Sequence, residues 1–222
     1  MAFHFERPRH FLFKAGQFVD LILPNARKDE AEQPTHAFSI ASSPFAQEIV
    51  VVTRMRNTAF KRALSDLAIG APVRLKAAMG SFTLHKNISR PAIFLAGGIG
   101  IAPFISMLRD VAANRTQMPI YLFYANRFRK DAPFMDVLRG LESVLSKFTF
   151  VPTLTRSDGV DGGWEGQTGR ISGEMLLRHV SSLREAICYV AGPAGMVSAA
   201  RLALTAAGVD DDDIRTEEFA GY

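Results

Sequence analysis

The sequence predicts a two-domain α+β protein, with an antiparallel barrel or sandwich first and a parallel sheet with covering helices second. Three observations carry this. Before residue 90 the chain falls into short segments that alternate on a period of two, and after residue 90 apolar strands alternate with helical stripes. Between the two regimes an apolar run, Ile93-Phe94-Leu95-Ala96, breaks into Gly97-Gly98-Ile99-Gly100 and resumes as Ile101-Ala102-Pro103-Phe104. Period-two alternation marks half-buried strands, and strands separated by helices mark a parallel sheet. The 222 residues, 48% of them hydrophobic, suffice for two ordinary cores.

In chain order, residues 3–6, 17–23, 36–42, 49–55 and 72–76 read as strands bounded by turn residues. Residues 59–68 form the single helical candidate among them, with Phe60, Ala63, Leu64 and Leu67 at helical spacing. Past Arg90, strands are expected at 93–96, 120–124, 148–154, 187–191 and 214–219, which makes a five-stranded parallel sheet. Helices are expected at 103–111 and 133–145, at a segment capped by Ser172 with Glu174 in its first turn, and from Gly192-Pro193-Ala194-Gly195 to residue 206. Residues 157–169 read as a glycine-rich loop. The domains are expected at 1–89 and 90–222.

Composition excludes several functions. Cys188 is the single cysteine, so neither a disulfide framework nor a four-thiolate iron–sulfur cluster can be built within this chain. The five histidines lack zinc-ligand spacing, and no basic run with interleaved aromatics points to nucleic acid. Residues 91–108 are uncharged over roughly the length of a membrane helix, but three glycines and a proline in the middle oppose a span. With no signal segment at the start, a cytoplasmic location is expected. The net charge of +4 is uneven, with the surplus in the first 90 residues, as a phosphate-bearing cofactor, an acidic partner or a merely solvated surface would each allow.

The glycine turn between strand and helix lets backbone approach a ligand, and the N–H groups of such a helix start attract a pyrophosphate. Pro103 suits the first helical turn, where its missing N–H costs nothing. A dinucleotide fold of the usual kind ends its second strand in an acidic residue that holds the ribose. Here that strand ends Tyr124-Ala125-Asn126-Arg127-Phe128-Arg129-Lys130, a basic end suited to nucleotide phosphate or to a solvated loop. No Gly-x-Ser-x-Gly elbow occurs, which disfavours a hydrolase.

A barrel followed by Gly97 to Pro103, then Ala191-Gly192-Pro193 and a terminal Glu217-Glu218-Phe219, resembles the ferredoxin–NADP reductase superfamily over nearly the whole chain. The family's flavin motif, Arg-x-Tyr-Ser, is matched by His36-Ala37-Phe38-Ser39 and continued by Ile40-Ala41-Ser42-Ser43-Pro44. Gln17-Phe18-Val19 matches the family's Gly-Gln-Phe-Val strand, and Gly80-Ser81-Phe82-Thr83 the turn that closes the barrel. The resemblance implies a Greek-key barrel that binds FAD. It also implies a strand ahead of residues 3–6 that is absent here, as truncation or a mis-set start would leave it.

By the same resemblance Ser39 hydrogen-bonds the flavin N5 region, Phe38 packs on the flavin and His36 approaches the pyrophosphate. Val52, Thr53 and Arg54 line the flavin, Phe60 and Lys61 sit in the phosphate-facing segment, and Gly80, Ser81 and Phe82 close the site. Gly97, Gly98, Gly100, Pro103, Asn126, Arg127, Thr155, Arg156, Gly192, Pro193 and Met196 fall to the nicotinamide nucleotide. Phe219 shields the flavin, with Tyr222 as rival. The implied activity is hydride transfer from NADH or NADPH to FAD, with electrons passed to a separate acceptor protein. The alternative is a non-redox nucleotide-binding or regulatory subunit that keeps the fold. Departures from the family are His36 for arginine, Ala77-Ala78 for Gly-Pro, the absence of glycine from residues 58–61, and Ala191 for the cysteine before Gly-Pro.

Overall fold

The structure is a computed structural model and describes residues 1–24, 35–156 and 163–219. Tyr222 and the first part of the expected glycine-rich loop, residues 157–162, lie outside the described residues.

The first half contains β1 (Ala2–Glu6), β2 (Phe18–Ile22), β3 (Thr35–Ser39), β4 (Glu48–Val52), α1 (Ala59–Asp66) and β5 (Arg74–Leu75). β1 pairs antiparallel with β4, β2 pairs antiparallel with both β3 and β5, and a bridge between Ile40 and Val51 joins the two sheets. The order is therefore β1-β4-β3-β2-β5, in which β4, β3 and β2 are successive neighbours and β1 returns beside β4. That is a Greek key, as expected, and β1 and β5 form its two edges. Val19, Leu21, Ile40, Ile49, Val51 and Leu64 bury its core. Thr58 caps α1, its hydroxyl accepting from the Lys61 amide.

The second half contains β6 (Ala92–Gly97), α2 (Ala102–Asn114), β7 (Ile120–Asn126), α3 (Met135–Val144), β8 (Phe148–Leu154), β9 (Gln167–Thr168), α4 (Gly173–His179), β10 (Ile187–Gly192), α5 (Ala194–Ala206) and β11 (Ile214–Glu218). The sheet is parallel throughout, in the order β11-β10-β6-β7-β8-β9. It has six strands where the sequence predicts five. The addition is β9, a two-residue strand hydrogen-bonded to the end of β8 inside the segment expected to be loop. Too short to show a period, it forms because the β8 edge offers unpaired backbone groups. As expected, Ser172 caps α4, its hydroxyl accepting from the Met175 amide.

Both faces of this sheet are covered, so its strands read as continuous apolar runs rather than alternating ones. On β6, Phe94 and Ala96 face the core under α2 and α3, while Ile93 and Leu95 face the one under α4 and α5. This explains the uncharged stretch 91–108, which is a buried strand, a turn and a helix. Among the described residues no helix is long and apolar enough to cross a membrane. Cys188 is also buried in this packing, which pushes its thiol up to about 12, and so it is an inert core residue.

Strand order reverses between β6 and β10, and such a reversal opens a crevice at the carboxyl ends of the strands. The two halves meet beside it. The His85 amide and Arg215 both donate to the Tyr189 hydroxyl, at 2.8 and 3.2 Å. His85 Nε2 faces the Arg90 carbonyl, so that nitrogen carries the proton and Nδ1 accepts from the same hydroxyl at 3.0 Å.

Candidate functional site

The two glycine turns follow the neighbouring strands β6 and β10 and pack against each other. A Cβ on Gly100 would lie 2.3 Å from the Ala191 carbonyl oxygen, and one on Gly97 would lie 2.2 Å from the Met196 sulfur. At Gly100, where the neighbour is backbone, only glycine allows this approach. Gly98 takes the left-handed conformation at φ 54°, and the chain then runs through a 3₁₀ turn, Gly98–Ile101, into α2 with Pro103 in its first turn. The result is a bare helix start at the sheet's ligand edge. The Phe219 amide donates to the Gly192 carbonyl at 3.0 Å, which ties the aromatic after β11 to the second turn.

Facing these turns across the crevice is the end of β3. His36, Ala37, Phe38 and Ser39 form one wall of a cleft, and Val52, Thr53 and Arg54 a second. Ile99, Ala102 and Phe219 close it from the side of the parallel sheet, while Arg56 and Lys61 stand at the basic end. Of the sequence-predicted flavin residues, His36 to Ser39, Val52 to Arg54, Lys61 and Phe219 thus converge on one cleft with the first glycine turn as its rim, while Phe60, Gly80, Ser81 and Phe82 do not line it. Its enclosed volume is only about 50 Å³, so it offers a large ring system a wall and a rim rather than an enclosure. A larger cavity, about 310 Å³, opens at the opposite end of the sheet between Arg115, Met118, Leu145 and Phe148. None of the predicted site residues line it.

Three aromatic rings cluster on one side, His36 stacked on Phe38 and Phe60 tilted against both. His36 lies 4.7 Å from Phe38 at 22° and 5.3 Å from Phe60. His36 Nδ1 is 2.9 Å from the Ala37 carbonyl oxygen, and since a carbonyl only accepts, Nδ1 carries the proton. A neutral His36 therefore has only an acceptor, Nε2, left for a ligand. The permanent cations are Arg54, which pairs with Asp131 at 3.4 Å, and Arg56. The Lys61 ammonium donates to the Arg54 carbonyl at 2.7 Å, and burial, assisted by the charge of Arg56, pulls its pKa below the usual lysine value.

Ser39, 4% exposed, donates its hydroxyl to Glu217 Oε1 at 3.3 Å. Burial raises the Glu217 carboxyl to about 7, and the Ser39 hydrogen bond opposes that rise. The other carboxyl oxygen, Oε2, is buried without a hydrogen-bond partner among the described residues. The sequence reading gives no site role to Glu217, nor to the cleft residues Arg56, Ile99 and Ala102. Side chains alternate along β11, so placing Phe219 inward also places Glu217 inward, and that parity is the signal that could have found it.

Asn126 closes β7 at the same sheet edge. Its carbonyl accepts from both the amide and the hydroxyl of Thr155, at 2.8 and 3.3 Å, while its buried Oδ1 has no partner among the described residues. Arg127 and Arg156 stand exposed beside them. Phe82 departs from expectation. Its ring packs against Phe104 at 5.7 Å and Tyr189 at 5.6 Å in the core of the parallel sheet, because a ring of that size gains more from burial there than from a wet cleft. Gly80 forms the barrel-closing turn at φ 99°, with Phe18 against it, and neither it nor Ser81 lines the cleft.

These features fit a flavin and a nicotinamide nucleotide. A side chain at Gly100 would fill the cradle, two buried acceptors lie unpartnered at the ligand edge among the described residues, and aromatic rings wall a cationic cleft. A family model described as an oxidoreductase NAD-binding domain matches residues 94–202. The reductase component of propane 2-monooxygenase from Mycolicibacterium goodii is 28% identical over 96% of this chain and 60% of its own length. The chain spans 57–60% of the length of such relatives. A ferredoxin–NADP reductase B from Sorangium cellulosum is 31% identical over 77% of this chain and 69% of its own. The crystal structure of a ferredoxin NADP⁺ reductase from Neisseria gonorrhoeae with bound FAD and NADP shares the fold, with a TM-score of 0.81 at 22% identity, covering 98% of this chain and 91% of that one. Barrel, glycine turns and relatives agree, and the chain belongs to the ferredoxin–NADP reductase superfamily.

Proposed function

We propose that this chain is an NAD(P)H-dependent flavoprotein reductase that moves hydride from NADH or NADPH to FAD and passes electrons to a separate acceptor protein, of the kind represented by oxygenase components or ferredoxin. The observation that carries the reading is the Ser39–Glu217 pair, a hydroxyl and a carboxyl raised to about 7, set where the flavin-motif strand meets the nucleotide edge of the parallel sheet.

FAD, when bound, would supply the hydride-accepting and one-electron chemistry, and the chain supplies position and field. His36, Phe38 and Phe219 give the aromatic surfaces, while Arg54, Arg56, Lys61 and the start of α1 offer positive charge to pyrophosphate. Gly97 to Gly100 and Gly192 would admit the nicotinamide nucleotide, and Asn126, Arg127, Thr155 and Arg156 at the same sheet edge would hold it. Ser39 orients the reacting ring by one hydrogen bond. Glu217 holds or releases a proton beside Ser39 near neutral pH. Hydride transfer itself needs no further acid or base, only alignment and exclusion of water.

The unit boundaries 1–89 and 90–222 belong to the same proposal, as does a cytoplasmic setting, where an unpaired thiol such as Cys188 stays reduced. A second reading, a nucleotide-binding subunit without redox activity, draws on His36, whose Nδ1 proton is spent on the Ala37 carbonyl. An assay of ferricyanide reduction with added FAD and either NADH or NADPH separates the two. Turnover dependent on both flavin and nucleotide supports the reductase, and its absence with both nucleotides leaves the second reading.

A further inference from the structure

We propose that Ser106 and Arg109 are positioning residues that clamp the flavin-facing strand of the barrel to the helix growing out of the first glycine turn. Ala102, Ser106 and Arg109 lie on one stripe of α2, at spacings of four and three residues. Ala102 is part of the cleft wall. One turn on, the Ser106 hydroxyl donates to the Ser42 carbonyl at 2.7 Å, and beyond it Arg109 donates to the Ala41 carbonyl at 3.3 Å. Both acceptors follow directly on Ser39 and Ile40. They are in turn bound to β4, since the Ala41 amide donates to the Val50 carbonyl at 2.8 Å and the Val50 amide to the Ser42 hydroxyl at 3.0 Å.

The contact is exclusive. Ser106 and Ala41 are fully buried and Ser42 is 1% exposed, so neither carbonyl can exchange its partner for water, and losing the donor leaves a buried acceptor unmet. Ser106 is also a polar residue among Phe104, Ile105, Met107 and Leu108, all buried. An apolar residue there would pack as well but could not fix the strand's register against the helix. The rim of the glycine turn, Ile99 and Ala102, is carried by the same backbone as Ser106, while Ser39 ends the strand that Ser42 follows by three residues. Any slip of α2 along the barrel therefore changes the separation of the nucleotide turn from the Ser39 hydroxyl. This inference rests on the proposed reductase function for its kinetic consequence but not for the clamp itself.

The test uses Ser106→Ala, a small change that keeps packing, and Arg109→Gln beside Arg109→Lys, which retains a donor. Without flavin, amide hydrogen exchange at Ile40, Ala41 and Val50 should quicken in Ser106→Ala and Arg109→Gln and stay near wild type in Arg109→Lys. With FAD, flavin affinity should hold within about twofold, while the rate of flavin reduction at saturating nucleotide falls about tenfold, as misalignment of a reacting pair predicts. Unchanged exchange at those amides overturns the clamp, whatever the kinetics. Faster exchange with an unchanged reduction rate, or a rate loss that only tracks weaker flavin binding, overturns the positioning role. Absence of FAD binding or reduction in the wild-type protein counts against the reductase reading, and the exchange result still decides the clamp.

Discussion

Ser39 donates its hydroxyl to Glu217 across 3.3 Å, a contact between residues 178 positions apart in sequence that joins the flavin-motif strand of the barrel to the last strand of the parallel sheet. The pair couples orientation to protonation where the end of the flavin-motif strand meets the last strand of the parallel sheet.

Ser39→Ala should keep the fold and slow reduction of bound flavin by NAD(P)H about fivefold, the effect of one neutral hydrogen bond worth about 1 kcal/mol. Stopped-flow absorbance reads it directly. The variant also removes the group that holds the Glu217 carboxyl down, so the inflection of rate against pH should move upward. An unchanged rate would remove Ser39 from the site.

Glu217 makes stability depend on pH in a defined direction. Its folded pKa of about 7 lies above the ordinary 4.5, so between those values the folded chain binds a proton that the unfolded chain has released. Its contribution is therefore fully present at low pH and is lost as pH rises to about 7. Glu217→Gln cannot ionise. It should match wild type near pH 4.5 and exceed it near pH 8 by about 1–2 kcal/mol, allowing for partial exposure. Urea unfolding at the two pH values checks the sign, and equal stability at both would mean the carboxyl is not desolvated.

His36→Arg should tighten FAD binding. Neutral His36 has its single N–H at the Ala37 carbonyl, whereas a guanidinium brings a permanent charge and five donors to the same wall. A gain of about tenfold matches one charge-assisted hydrogen bond. Titration of apoprotein with FAD measures it, and equal or weaker affinity would place the pyrophosphate elsewhere.

Phe219→Ser should strengthen nicotinamide nucleotide binding severalfold and alter turnover, because an aromatic lining the cleft and anchored to Gly192 has to give way for the nicotinamide. Spectral titration with NADP⁺ or NAD⁺ reports it. Unaltered affinity would mean that Phe219 does not cover the reacting face.

Most of the architecture is legible in the sequence because its determinants are local or periodic. Alternation gives β1 to β4, the glycine breaks mark both turns, and Ser172 marks the start of α4. What escapes is set by contacts distant in sequence. β9 exists only because β8 ends with a free edge. Phe82 reads as a cleft residue from its place after the barrel turn, yet Phe104 and Tyr189 draw it into the other core. Glu217 and Glu218 are alike as letters, and only strand parity and the burial of one of them beside Ser39 tell them apart.

The most direct test of the account is the visible spectrum of the purified protein with one equivalent of FAD under anaerobic conditions, recorded before and after NADH or NADPH is added. A reductase shows a flavin spectrum perturbed by binding and then bleached by at least one of the nucleotides in the absence of any acceptor. A spectrum identical to that of free FAD, or a bound flavin that neither nucleotide bleaches, would contradict the reductase reading.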